Sequence, residues 1–277
     1  MPAALRSVVR PIATALVALL LLPASAVPTS PPARATARTI AVVAANESFN
    51  WSGYMQGVLE KGTTFHSVTA EWIVPKAKQR NRGEAEYSSS WIGIGGGCLD
   101  SGCTVGDATL IQAGIGHDVD AAGEVDYYAW WETIPAPLVR TDLPIRRGDH
   151  VRVSIVESVV IPDVWTITIA NLDTGGSFAL TLPYASSHAT AEWVIETPVV
   201  ISGTSVTVGP MPDLAVVHFD AVTANGNPAG LIPQEQIRLV DFDLSPIAAP
   251  SLPDREADGF NDCTDRKTCP APGNEIK

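Results

Sequence analysis

The sequence predicts an all-β fold, a single-domain antiparallel β-sandwich of two packed, lectin-like sheets, and three observations carry that reading. Short runs alternate apolar and polar residues with a period of two, turn-forming Gly, Pro, Asn and Asp punctuate them, and helical spacing is almost absent. The 277 residues are 45% hydrophobic and 17% charged, a balance that sustains one large core and excludes intrinsic disorder of the whole chain.

Along the chain, Arg6 and Arg10 precede a short apolar stretch over residues 13–22, and Ala24-Ser25-Ala26 supplies the small residues of a cleavage site. Residues 1–26 therefore read as a secretory signal peptide, which predicts a secreted, extracellular protein. That stretch falls short of the about 20 residues a membrane span needs, and no later segment supplies one, so no membrane partner is expected after cleavage. Residues 27–45, rich in Pro, Ala, Thr and Arg, read as a linker or short pro-segment. The sandwich is expected over residues 46–245. Val68, Ala70, Trp72 and Val74 alternate with Thr69 and Glu71; Val151, Val153 and Ile155 alternate with Arg152 and Ser154; Trp165, Ile167 and Ile169 alternate with Thr166 and Thr168. The turn Asn171-Leu-Asp-Thr-Gly-Gly176 leads into Phe178, Leu180 and Leu182, which predicts a hairpin. From residue 246 Pro, Asp and Gly dominate, so residues 246–277 read as a tail pinned by a local disulfide.

Charge narrows the partners. Eighteen basic residues against 30 acidic give a net charge of −12, and no Lys/Arg run interleaves with aromatics, so nucleic acid is excluded as a partner. Four of the basic residues, Arg6, Arg10, Arg34 and Arg38, are the only charges before Asn46, so losing residues 1–45 leaves 14 basic against 30 acidic and a net charge of −16. Such a surface repels itself at neutral pH and is relieved by acid, which points to an acidic working environment. Cys98 with Cys103, and Cys263 with Cys269, each close a short loop, so two local disulfides are expected in an exported chain. A zinc site is the rival, but neither pair has the two-residue gap of a zinc knuckle and no His lies nearby. No metal or cofactor is expected.

The search for chemistry begins with absences. The sequence contains no Gly-x-Ser-x-Gly, no His-Glu-x-x-His, no phosphate loop and no dinucleotide fingerprint, and its five histidines (His66, His117, His150, His188 and His218) are scattered singly. Carboxylates and amides remain. Three apolar stretches carry polar groups: Leu110-Ile-Gln-Ala-Gly114, Tyr127-Tyr-Ala-Trp-Trp-Glu132 and Ala191-Glu-Trp-Val-Ile-Glu196. Strand alternation sets Gln112 with Leu110 and Gly114, sets Tyr128 and Trp130 with Glu132, and sets Glu192 with Glu196 opposite Trp193 and Ile195. If Trp193 and Ile195 enter the core, the other face is an open cleft bearing Gln, Glu and aromatic rings.

These motifs, with Asn50-Trp-Ser-Gly53, Val68-Thr-Ala-Glu-Trp-Ile-Val-Pro75 and Ser90-Trp-Ile-Gly-Ile-Gly-Gly96 before them, resemble the glutamic peptidases, or eqolisins, in order and spacing from about Asn50 to Asp243. The resemblance implies a sandwich of two antiparallel sheets and acid endopeptidase activity on protein or peptide substrates, without a cofactor. Carried over by motif, it implies a catalytic dyad of Gln112 and Glu196, with Trp91, Trp130, Glu132 and Tyr128 in the substrate cleft. Two departures from the family pattern stand out, for Tyr128 and Gly95 occupy positions that are usually acidic. Asp126 or Asp118 offers compensation. Two rivals from other classes keep the same residues in view. A glycoside hydrolase would pair Glu132 with Glu196 across a cleft, and a carbohydrate-binding sandwich would use Trp91, Trp130 and Trp131 as platforms.

Overall fold

The structure, a computed structural model, describes residues 35–36, 39–202, 205–264 and 268–273. The expected signal peptide lies outside these residues. Period-two runs become strands where they are predicted, and the principal ones are β1 (Trp51–Gly57), β2 (Ser67–Ile73), β3 (Ser89–Ile94), β4 (Ile111–Val119), β5 (Val125–Thr133), β6 (His150–Glu157), β7 (Val164–Asn171), β8 (Ser177–Pro183), β9 (Thr190–Glu196) and β10 (Val216–Ala224). Three more follow, β11 (Gln236–Val240), β12 (Pro246–Pro250) and β13 (Phe260–Thr264). The predicted hairpin forms, with Asn171 and Gly176 closing the turn between β7 and β8.

Pairing arranges the strands in two layers. In the first, β5, β4, β3, β9 and β1 follow one another antiparallel. In the second, β8, β7, β6, β2, β10, β13 and β12 do so. Strand β11 serves both, pairing Gln236 with Tyr54 in one layer and Leu239 with Ala248 in the other. Between the layers lies the core, with Ile92, Ile111, Ala113, Ile115, Trp193 and Ile195 from the first and Val68, Trp72, Val153, Trp165, Ile167 and Phe219 from the second. Burying a side chain of this size contributes about 1.5–3 kcal/mol, which fixes register, because a slip of one residue would turn every core side chain outward.

One boundary differs from expectation. Residues 246–264, read as part of a tail, supply β12 and β13, and the sandwich continues to Thr264. Prolines at both ends of β12 are compatible with a strand that starts and stops there. The polar run Asn261-Asp262 hides the alternation of β13, whose Phe260 stacks on Phe219 with ring centroids 5.0 Å apart. The segment before the sandwich is also partly built in: Val42–Ala44 form a strand against Glu47–Ser48. Both disulfides pair as expected, Cys98 with Cys103 and Cys263 with Cys269.

Asp262 turns inward, fully buried, and accepts a hydrogen bond from Ser52 Oγ at 2.8 Å on one oxygen while the other has no partner. Burial holds its carboxyl well above the usual carboxylate range, the Ser52 bond opposing only in part. A raised folded pKa means that this group's stabilising effect is complete below the unfolded pKa of about 4 and is lost as pH rises through the folded value. Thermal melts should therefore give the highest Tm in acid and a falling Tm toward neutrality, and Asp262→Asn should flatten that decline.

Candidate active site

The outer face of the first sheet collects the residues singled out by alternation. Trp51, Met55, Trp91, Leu110, Trp130 and Val194 form a second apolar cluster there, and Gln112, Glu132, Glu192 and Glu196 lie among them. Register orders them in rungs. Gln112 stands opposite Glu132 on one side and Gly93 on the other, and Gly93 in turn faces Glu192. Trp91 pairs with Gly114 and Val194, and Gly114 with Trp130. Glu196 pairs with Ser89 and Trp51. Two glycines are required by close approach: a Cβ on Gly114 would lie 2.4 Å from Trp91 Cβ, and one on Gly116 would lie 2.2 Å from the Tyr128 ring. Without side chains at these positions the flanking rings can lie flat on the sheet.

Gln112, Glu132 and Glu196 are each held by a hydrogen bond. The Trp91 indole N–H donates to Glu196 Oε2 at 2.8 Å. Gln112 Nε2 donates to Glu132 Oε2 at 2.7 Å, which fixes the amide and leaves its other N–H for a further acceptor. Glu196 Oε1 and Gln112 Oε1 have no hydrogen-bond partner. Burial, and then the negative charge of Glu132, push the Glu196 carboxyl up to about 8, against the pull of the Trp91 bond and of Trp51 and Asn50. No described hydrogen bond joins Gln112 directly to Glu196. Glu132 links them, bonded to one and felt electrostatically by the other. Glu132→Gln removes that repulsion, so the limb of the pH–rate profile governed by Glu196 should move to lower pH.

The expected open cleft is instead covered. Gln112 is 0% exposed, Glu196 2% and Glu132 3%. Ile40 packs against the same cluster, and its segment is tied down where Ile40 N–H donates to Gly96 O at 2.9 Å and Ala41 N–H to Asn50 Oδ1 at 2.7 Å. Cys98 of the first disulfide belongs to the cluster as well.

Tyr128 packs at the edge of the same cluster and has polar partners of its own. Its hydroxyl donates to Asp118 Oδ2 at 2.8 Å, the Arg140 guanidinium sits 3.4 Å above its ring, and Arg140 pairs with Asp126 at 2.6 Å. Burial raises Asp118 to about 6, with Tyr128 and Arg140 pulling the other way. Asp118 and Asp126 thus surround the position where Tyr128 departs from the family pattern. Sequence reasoning passed over Arg140 and Trp51; Trp51 was visible only as part of a motif, yet its ring packs edge-on against Trp91 at 4.9 Å. His117 is a core residue between Ser88 and Ser90 hydroxyls, each at 3.1 Å, and burial depresses it to about 3. Its described ring partners are these two hydroxyls, with no carboxylate among them.

The two-layer sandwich carries an amide and a carboxyl on one tryptophan-lined face. The sequence signature described as the peptidase A4 family matches residues 49–242, and the chain belongs to that family; it is a peptide hydrolase of the glutamic type. Among solved structures it is similar to scytalido-glutamic peptidase with a transition state analog inhibitor, at 19% identity over 78% of this chain and 98% of that one, TM-score 0.58. A second structure of that peptidase, with a peptide based transition state analog, gives 21% identity over the same shares and a TM-score of 0.54. SCP-B, a member of the eqolisin family in a complex with the tripeptide Ala-Ile-His, gives 18% identity, again over 78% and 98%, and a TM-score of 0.53. At these identities the likeness establishes the shared sandwich. No curated protein matches the chain.

Proposed function

We propose that this chain is an exported acid endopeptidase whose dyad is Gln112 and Glu196. The observation that carries the reading is a buried carboxyl of raised proton affinity, held by Trp91, on the same sheet face as an amide held by Glu132. In its ionised form Glu196 takes a proton from water as the water oxygen bonds to the scissile carbonyl carbon. Gln112 N–H stabilises the oxyanion that develops. Glu196 then gives the proton to the amide nitrogen as the C–N bond breaks, leaving an acid and an amine. Trp91 and Trp130 supply apolar walls, and Glu132 and Tyr128 complete the substrate side.

Opening the face to substrate removes the largest cause of the Glu196 shift. The working value therefore falls between the ordinary carboxylate pKa of about 4.3 and the buried value of about 8. The first step needs ionised Glu196, so the acid limb of the pH–rate profile falls in that window, and activity in acid requires the working value to lie toward its lower end. Export rests on the signal-like residues 1–26 and on two disulfides, which belong to oxidising compartments. The tie of residues 39–41 to the rim of the site favours the pro-segment reading of residues 27–45. A sugar-cleaving pair of Glu132 and Glu196 is disfavoured, because a Glu132 oxygen is already engaged by Gln112. Incubation with acid-denatured protein and, separately, with polysaccharide tests the reading: peptide release alone supports it, and sugar release contradicts it.

A further inference from the structure

At the far end of β9 from Glu196, three ligand-type side chains from separate segments converge. His66 directly precedes β2, Glu157 ends β6, and His188 lies two residues before β9. Between Thr190 and Glu196 an extended strand alone spans about 20 Å, so this cluster is not part of the dyad site. Glu157 Oε2 is 2.5 Å from His66 Nδ1 and 3.0 Å from His188 Nε2, and all three donor atoms lie within 4.8 Å of one another. We propose that His66, Glu157 and His188 form a binding site for one divalent transition-metal ion of the zinc class.

The donor set is that of a zinc ion, two imidazole nitrogens and one carboxylate oxygen, with a fourth position for water. Metal–ligand bonds of about 2.0–2.2 Å hold tetrahedral ligands roughly 3.4 Å apart, so an ion fits after the nitrogens retreat from the oxygen by less than about 1 Å. His66 can make that movement, since its side chain is 54% exposed. Its exposure also gives the ion a route in, and the strongly acidic chain favours cations.

Outer partners already orient the ligands. Glu157 Oε1 accepts the Asp163 N–H at 2.7 Å, and His66 Nε2 meets Thr64 Oγ1 at 2.9 Å, as metal-bound carboxylates and imidazoles require. His188 holds its ring in place at a backbone cost, because its φ is +58°, in the left-handed region that non-glycine residues avoid. The conformation is retained by two bonds, from His188 N–H to Ser186 Oγ and from Phe65 N–H to the His188 carbonyl. An ion here would join the start of β2 and the end of β6, in the second sheet, to the segment that enters β9 in the first. Its expected effect is to staple the two layers together at this end.

Calorimetric titration of the purified protein with ZnCl2 near neutral pH tests the assignment. Expected are one ion per chain, a raised Tm with zinc but not with MgCl2, and at least tenfold weaker binding in His66→Ala and in His188→Ala. His150→Ala, which breaks the separate His150–Glu71 pair, should bind zinc as the unchanged protein does. The exposed position of His66 keeps that variant folded if the His188 variant fails to fold. Absence of saturable zinc binding, or zinc binding unaltered in His66→Ala, would overturn the proposal.

Discussion

Glu196→Gln should abolish nearly all peptide hydrolysis while the protein stays folded. The substitution keeps the size of the side chain and an oxygen for the Trp91 indole N–H, which donates at 2.8 Å in the native protein. It removes the exchangeable proton, so neither the attacking water nor the leaving amine is served. The buried face should tolerate it, because a neutral amide is no worse placed there than a carboxyl that burial already drives toward its protonated form. Circular dichroism and Tm at or above the native values, with turnover near background, are the expected measurements. Glu192→Gln is the control. Glu192 is fully buried on the same face, and burial holds it well above the usual range, yet its register neighbours are Met55 and Gly93, where it touches neither Trp91 nor Glu132 in any described bond. It should retain most activity. A dead Glu192 variant beside an active Glu196 variant would move the acid–base role two rungs along β9.

Gln112→Ala should lower kcat by about 10² to 10³, or roughly 3–4 kcal/mol of transition-state stabilisation, the cost of one oxyanion donor. A second contribution comes from what the amide leaves behind. Glu132 loses its 2.7 Å donor on a face where it is 3% exposed, and a hydrogen bond to a charged group is worth about 1.5–3 kcal/mol. Kinetics and melts separate the two. A loss confined to kcat, with KM little changed, marks an interaction made in the transition state, whereas lowered Tm reports the lost Gln112–Glu132 bond. Gln112→Glu offers a sharper comparison, since it places a second carboxyl beside Glu132 and should raise the proton affinity of the pair rather than restore the donor.

Period-two alternation made the faces legible: it set Glu192 and Glu196 on the side opposite Trp193 and Ile195, and the structure puts Trp193 and Ile195 in the core. Local spacing was equally sufficient for both disulfides, each closed over a handful of residues. Long-range partners were not legible. Ser52 and Asp262 meet across 210 positions of sequence, so nothing near Asp262 signals that it is an inward-facing strand residue. The same holds for Arg140 over Tyr128, and for the metal-type cluster, whose histidines look isolated because His66 and His188 come from different sheets. Covering of the candidate face was missed for a related reason. Alternation says which side a residue points to, and it is silent on whether a distant segment such as that around Ile40 lies over that side.

The most direct test of the account is cleavage of an unstructured peptide by the purified protein from about pH 2 to about pH 8, with and without inhibitors of aspartic, serine and metallo peptidases. A glutamic dyad in this acidic chain predicts hydrolysis that is strongest in acid, fades toward neutrality as the chain's own negative charge mounts, and is indifferent to all three inhibitor classes. Full activity at pH near 8, or abolition by any one of those inhibitors, would contradict it.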